Sequence, residues 1–231
     1  MIAVISDIHG NATALAAVLA EAKKARVNEL FILGDTVGYY HQPRAVMEQL
    51  DQWQYVLIAG NHEAMLSKSK YSAEYLNEVT EKYGSGLAIA ISTLRPKSLT
   101  ELACAPTQIT VERGGRKFLL CHGAPFDPNY YIYPDSNIEI LQRAADVDVD
   151  FVLMGHTHYP FLSVQCGRVL INPGSVGQPR DIAGSASWAL INENNGVVVF
   201  RRTEWDIAQV LKLATAFDPE NHALVKALTR S

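Results

Sequence analysis

The sequence predicts an α/β fold in which helices and strands are layered around at least one large sheet. Three observations carry this expectation. Short apolar runs rich in β-branched and aromatic residues recur along the chain. In the first third they alternate with stretches of helical periodicity. From residue 108 onward the apolar runs dominate, with turn signals between them. Short runs that are apolar throughout read as buried strands. Their alternation with helices reads as βαβ layering.

Taken in order, "IAVIS" at 2–6 is a first strand. "NATALAAVLAEAKKA" at 11–25 has apolar residues at helical spacing, with Asn11 placed to accept from the first free N–H groups. "LFIL" at 30–33 is a second strand, and "PRAVMEQL" at 43–50 is a helix with Pro43 in its first turn. "YVLIA" at 55–59 is a third strand. Residues 64–100 read as mostly helical, although "LAIAIS" within them fits strand as well as helix. "KFLLC", "FVLM", "RVLIN", "WALI" and "VVVF" come next as strands, with hairpin turns at "RGGRK" and "NENNGV". "EWDIAQVLKLATA" and "NHALVKAL" are the last helices. One domain over 1–231 is expected, with 64–100 as a helical insertion that shapes the site.

Composition narrows the function classes. Hydrophobic residues are 48% and charged residues 19%, as in ordinary globular proteins. A net charge of −4 argues against a chain built to coat a nucleic-acid polymer or an anionic membrane. It does not exclude a small anionic substrate, because bound metal reverses the sign locally. Three widely spaced cysteines, Cys104, Cys121 and Cys166, suggest a reducing compartment and no disulfide framework. "MIAVISD" lacks the basic flank of a signal peptide. No apolar run approaches the ~20 residues that span a bilayer. The expected location is cytoplasmic, with no membrane partner; homo-oligomerisation is left open.

The chemistry is concentrated at the strand ends. "AVIS" runs into "DIHGN", with Asp7, His9 and Asn11; "LFIL" into "GDTVGYY", with Asp35. "YVLIA" runs into "GNHE", with Asn61, His62 and Glu63; "FLLC" into "HGAP", with His122; "FVLM" into "GHTH", with His156 and His158. Each piece alone is ordinary turn chemistry. Together they hold five of the seven histidines and leave only His41 and His222 outside. Strand ends on one sheet edge converge in space. In an extended segment residues i and i+2 point the same way, so Asp7 with His9, and His156 with His158, can each aim at one place. Adjacent glycines are expected to supply positive φ and tight turns. The pooled set is Asp7, His9, Asp35, Asn61, His122, His156 and His158. It exceeds one tetrahedral ion and, having no sulfur, suits two ions such as Mn, Fe, Zn or Ni. A carboxylate is the natural bridge. Asp35 is the better candidate, since Asp7 already pairs with His9.

The ordered blocks D-x-H, G-D, G-N-H-E, His-Gly and G-H-x-H, over residues 7–158, resemble the calcineurin-like metallophosphoesterase superfamily. "NPGSVGQPRD" at 172–181 resembles its compact bacterial and archaeal branch, which includes YfcE-like phosphodiesterases. The resemblance implies a β-sandwich of two mixed sheets flanked by helices, in four layers α/β/β/α. It implies that Asp7, His9, Asp35 and His158 hold one ion, and Asp35, Asn61, His122 and His156 the other. His62 is implied to sit beside the phosphate and leaving group, so Asp35, Asn61 and His62 are the residues expected at the reaction itself. The activity implied is hydrolysis of phosphodiesters in a small phosphoester substrate, with monoesters left open. Two ions ~3.5–4 Å apart can hold a bridging hydroxide for in-line attack.

Alternatives remain. Ser/Thr protein phosphatases continue the second block as G-D-x-x-D-R-G, whereas this chain reads "GDTVGYYHQ". The missing arginine weakens a protein-phosphatase or dinucleoside-polyphosphate-hydrolase reading. A non-catalytic scaffold of the same fold is opposed by the full donor set. Arg180 could contact phosphate or be merely solvated, and Tyr39, Tyr40 and His41 could line the pocket or cap the core edge. The loop "APFDPNYYIYPD" at 124–135 is free to shape specificity.

Overall fold

The structure, a computed structural model, describes residues 1–229. Among these, ten strands form two five-stranded mixed sheets that pack face to face. The first sheet is built from β1 (Ile2–Ile5), β2 (Glu29–Ile32), β3 (Tyr55–Leu57), β9 (Ser185–Ile191) and β10 (Val198–Glu204) in the order β10-β9-β1-β2-β3. Here β1, β2 and β3 run parallel, and β9 is antiparallel to both its neighbours. The second sheet contains β4 (Gln108–Arg113), β5 (Arg116–Cys121), β6 (Phe151–Leu153), β7 (Phe161–Gln165) and β8 (Arg168–Asn172) in the order β4-β5-β6-β8-β7. Its middle strands β5, β6 and β8 are parallel, and its edges are antiparallel.

Period-2 alternation sorts these strands into layers. Ile2, Val4, Phe31 and Leu33 point between the sheets and meet Phe118, Leu120, Phe151 and Leu153. Phe118 stacks on Phe151 at 4.9 Å and meets Phe31 edge-on at 5.8 Å. The alternate residues Ala3, Ile5, Leu30 and Ile32 point outward onto helix α1 (Ala12–Lys24), which buries Leu15, Val18 and Ala22, and onto α2 (Pro43–Leu50), which buries Val46, Met47 and Leu50. On the far side Leu119, Val152 and Leu170 pack with Leu141 and Ala144 of α7 (Ile138–Ala144). The result is the four-layer α/β/β/α arrangement expected.

Local signals explain the helix starts. The Asn11 side chain accepts from the Ala14 N–H at 3.0 Å, and Pro43 occupies the first turn of α2. The stretch between the sheets resolves into α3 (Asn61–Ser69), α4 (Ala73–Tyr83), α5 (Gly86–Thr93) and α6 (Pro96–Cys104). The ambiguous "LAIAIS" lies in α5, where Leu87 and Ala90 join the core; a six-residue apolar run cannot by itself separate strand from helix. Helices α8 (Ile207–Phe217) and α9 (His222–Leu228) come after β10. Strand β7 and helix α7 are additions to the sequence expectation. The β7 burial alternates, as on a half-exposed edge, so it carries no continuous apolar run. The short α7 is started by Asn137, whose side chain accepts from the Ile140 N–H at 3.0 Å.

Phe118→Ala removes the ring at the centre of the inter-sheet core, and we expect it to cost about 3–5 kcal/mol. Urea unfolding monitored by circular dichroism measures this, and a loss below about 1 kcal/mol would contradict the packing described.

Candidate metal centre

The parallel strands deliver the candidate residues. Asp7 and His9 follow β1, Asp35 follows β2, and Asn61 opens the helix after β3. His122 follows β5, and His156 and His158 follow β6. All seven meet where the two sheets' strand ends converge. Backbone bonds tie the loops together: His9 N–H donates to the Asp35 carbonyl at 2.9 Å, and Gly155 N–H to the His122 carbonyl at 2.8 Å.

The local geometry differs from the extended pairing expected. Asp7, His9, Asp35, His156 and His158 have φ of 54°, 52°, 53°, 68° and 64°. Left-handed backbone at a non-glycine residue costs about 1–3 kcal/mol, and such positions cluster at functional sites. Convergence therefore comes from tight left-handed turns, not from i, i+2 alternation along a strand. Of the neighbouring glycines, Gly10 and Gly34 have the expected positive φ, 68° and 86°, whereas Gly60 and Gly155 act differently. Gly60 has φ −98°, but a Cβ there would lie 2.3 Å from Asp35 Oδ1 and 2.8 Å from His122 Cε1. A Cβ on Gly155 would lie 2.0 Å from Ser6 Oγ. These two glycines provide close approach.

The donor atoms form three overlapping groups. Asp7, His9 and His158 form one, Asp35, His122 and His156 another, and His9, Asp35 and His62 a third that shares a member with each. Asp35 Oδ2 lies 3.8 Å from His9 Nε2 and 3.3 Å from His122 Nε2. Asn61 Oδ1 is 3.1 Å from His122 Nε2, beside the second group. His9 and His158 bring their Nε2 atoms to 3.1 Å, as do His156 Nδ1 and His122 Nε2. Asp7 Oδ1 is buried, accepts no hydrogen bond and lies 3.2 Å from His158 Nε2 and 3.7 Å from His9 Nε2. Ring nitrogens facing each other beside such a carboxylate oxygen suit a shared cation, so the residues fit the divalent metals of N/O chemistry.

Outer partners fix which nitrogen faces inward. His9 Nδ1 pairs with the Val37 carbonyl at 3.3 Å, His122 Nδ1 with Leu33 at 2.6 Å, and His158 Nδ1 with Gln178 at 2.7 Å. Each imidazole thus turns Nε2 to the centre. Burial tends to raise the Asp7 and Asp35 carboxyls, yet His158 beside Asp7, and His122 and His62 beside Asp35, hold both well below the usual range. Burial lowers His122, but Asp35 pushes it up to about 10. Burial and His122 bring His156 down to about 4, and burial and His62 lower His9.

Sequence reasoning leaves Glu63 without a role. Its Oε2 accepts from the Asp35 and Gly60 N–H groups, each at 2.8 Å, and its Oε1 from Thr36 N–H at 2.7 Å. Burial and the Asp35 charge push Glu63 up to about 7, against three backbone donors that favour the anion. The "NPGSVGQ" segment likewise supports the centre. Asn172 Nδ2 donates to the Gly155 carbonyl at 2.6 Å, and Ser175 Oγ to the Asp7 carbonyl at 2.7 Å. His62 is 2% exposed, with its ring against His9 at 4.8 Å, Tyr39 at 4.9 Å and Tyr83 at 5.2 Å. Its backbone N–H donates to Asp35 Oδ1 at 2.8 Å. Tyr40 is buried under α8 and α9, with its N–H donating to the His9 carbonyl at 3.0 Å, and His41 is paired with Asp218 at 2.6 Å.

The sequence profile of the calcineurin-like phosphoesterase superfamily domain matches residues 1–196. The chain belongs to the calcineurin-like phosphoesterase superfamily. This phosphoesterase is 34% identical over 229 residues to the protein MJ0912 of Methanocaldococcus jannaschii, covering 90% of this chain and 88% of that one. It is 28% identical to the phosphodiesterase YfcE of Escherichia coli over 207 residues, covering 89% and 94% of the two chains. Its fold matches a metallophosphoesterase from Sphaerobacter thermophilus with a TM-score of 0.82 at 28% identity, covering 98% and 97% of the chains. Phosphoester hydrolysis with divalent metals is the chemistry of this family. Among the described residues no helix is long and apolar enough to cross a membrane.

Glu63→Gln turns one of the accepting oxygens into a donor facing an N–H. We expect about 10–100-fold weaker Mn²⁺ binding by calorimetry, the usual scale for losing such a support. Unchanged affinity would show that the Asp35 loop holds itself.

Proposed function

We propose that the protein hydrolyses phosphodiesters at a centre of two divalent ions. Asp7, His9 and His158 hold one ion, Asn61, His122 and His156 hold the other, and Asp35 bridges. The observation that carries this is the Asp35 carboxylate standing between the two imidazole groups, 3.8 Å from one and 3.3 Å from the other. When bound, the ions supply Lewis acidity and lower the pKa of water. The family resemblance of the ordered blocks and the likeness to a protein named a phosphodiesterase favour diesters over monoesters. At the position of the arginine of G-D-x-x-D-R-G stands Tyr39, whose ring meets His9 at 4.6 Å, which disfavours the protein-phosphatase and dinucleoside-polyphosphate readings.

The chain's own groups then divide the work. Arg180, whose neighbour Asp181 is taken by Arg202, is placed to contact a phosphoryl oxygen. His62 stands on the leaving-group side. Burial lowers its pKa, which favours a role in steadying developing charge through an N–H over giving up a proton. We place residues 1–231 in one domain in which the helices of 64–100 shape the site, because Tyr83 at the end of α4 packs against Tyr39 and His62. Three free cysteines agree with a cytoplasmic setting.

Purified protein reloaded with Mn²⁺ should carry about two ions per chain and cleave bis(p-nitrophenyl) phosphate in a chelator-sensitive way. Asp35→Asn should lose both ions together, and Asp7→Asn chiefly one. A ceiling of one ion at full activity, or phosphopeptide hydrolysis without diesterase activity, would overturn the reading.

For His62→Ala we expect about 10²–10³-fold slower turnover at matched metal occupancy, the scale for losing one charge-stabilising donor. The loss should be similar for an alkyl and a nitrophenyl ester. A much larger loss on the alkyl ester would instead make His62 a proton donor.

A further inference from the structure

The loop between β5 and α7 contains "NYYIYPD", in which apolar and aromatic residues alternate across Ile132. Ile132 is 3% exposed and sits in the core beneath α7, whereas Tyr131 is 44% exposed and Tyr133 36%. The alternation therefore turns both phenol rings outward together. The loop that presents them is braced. Ala124 and Asp127 exchange backbone bonds at 2.9 and 3.1 Å, Tyr133 N–H donates to Ser136 Oγ at 2.9 Å, and the Phe126 ring lies under the Arg143 guanidinium at 3.8 Å. Exposed aromatic surface on a braced loop gains nothing from the core, and leaving such rings in water forgoes their burial.

The two rings also sit in a particular place. Tyr131 stacks on His156 at 3.8 Å and 27°, so the platform starts at the metal centre itself. Tyr133 continues it, nearly parallel to Tyr131 at 6.0 Å and 11°, and Tyr159 lies 6.1 Å beyond. Arg180 follows closely on Gln178, whose carbonyl pairs with His158 Nδ1 at 2.7 Å, so the segment that braces the centre also carries a cation. A cation for phosphate next to flat aromatic faces is the combination that binds nucleotides, because every base has a stacking face.

We propose that Tyr131 and Tyr133 form a stacking platform for a nucleobase, and that the substrate of this centre is a nucleoside phosphodiester of mononucleotide size. For the reaction this rests on the phosphodiesterase reading above; for binding it stands on the platform alone. Size follows from charge. Residues 124–137 carry Asp127 and Asp135 and no lysine or arginine, and the whole chain is at −4. A polymer would need a basic track along its backbone, which this loop does not offer.

The test compares adenosine 5′-monophosphate with ribose 5-phosphate, which share the phosphate and sugar and differ in the base. On Mn²⁺-loaded protein, calorimetry should give about 10-fold or tighter binding of adenosine 5′-monophosphate, the scale of one stacked base. Tyr131→Ala and Tyr133→Ala should each erase most of that preference, and Tyr131→Phe should keep it. Tyr133 touches no candidate ligand, so its variant reads the platform even if Tyr131→Ala disturbs His156. In turnover, the kcat/KM ratio of thymidine 5′-(p-nitrophenyl phosphate) to methyl p-nitrophenyl phosphate should fall about 10-fold in Tyr133→Ala. Equal binding of the two phosphates, or a preference that survives both alanine variants, overturns the platform. A preference lost in the variants of a protein that cleaves no diester upholds the platform and overturns the phosphodiesterase reading alone.

Discussion

The centre depends on keeping two carboxylates, Asp7 and Asp35, ionised in almost complete burial. Anions in such a place must be answered by donors or cations, since water cannot do it. The fold answers with backbone as much as with side chains. His62 N–H donates to Asp35 and His156 N–H to Asp7, while imidazoles crowd the remaining oxygens. Without metal, part of the compensation falls on His122, which the Asp35 charge holds protonated. A divalent ion held there as proposed would compete with that proton.

That electrostatic demand explains the architecture around it. The two proposed sets of donors each draw on both sheets, Asp7 and His9 with His158, and Asp35 and Asn61 with His122 and His156, so neither sheet alone supplies a full set. The aromatic core of Phe31, Phe118 and Phe151 fixes the face-to-face spacing of the sheets, and hence the reach from Asp35 to His122. Loops with left-handed residues then make the last approach. Glu63 is a third buried acid, placed behind Asp35 with each oxygen taken by N–H groups. It holds the loop's shape without facing the metal positions.

Much of this was legible in the sequence, for reasons that can be named. Buried parallel strands are apolar throughout, so "IAVIS", "LFIL" and "FVLM" announced themselves, and polar residues directly after them stood out. Edge strands such as β7 have one wet face and do not form such runs. Left-handed backbone at Asp7 or His156 leaves no compositional trace, because aspartate and histidine are also ordinary ligands in extended turns. Glu63 was visible as part of "GNHE", but spacing cannot tell an acid that binds metal from one that accepts three N–H groups. The aromatic loop could be recognised as variable in purpose, whereas its stacking on His156 needed coordinates.

Helices α8 and α9 lie beyond the stretch matched by the superfamily profile, and they pack on Tyr40 with Tyr39 at the edge of the same cluster. Leu224 and Leu228 pack around Tyr40, and Asp218 accepts from the Ser85 N–H and hydroxyl at the start of α5 while also meeting His41. One carboxylate thereby joins three segments far apart in the chain. Helix ends open locally far more often than a whole domain unfolds. Tyr40 is preceded in the chain by Tyr39, whose ring meets both His9 and His62, so a segment that contributes no donor is joined to the centre through two adjacent tyrosines.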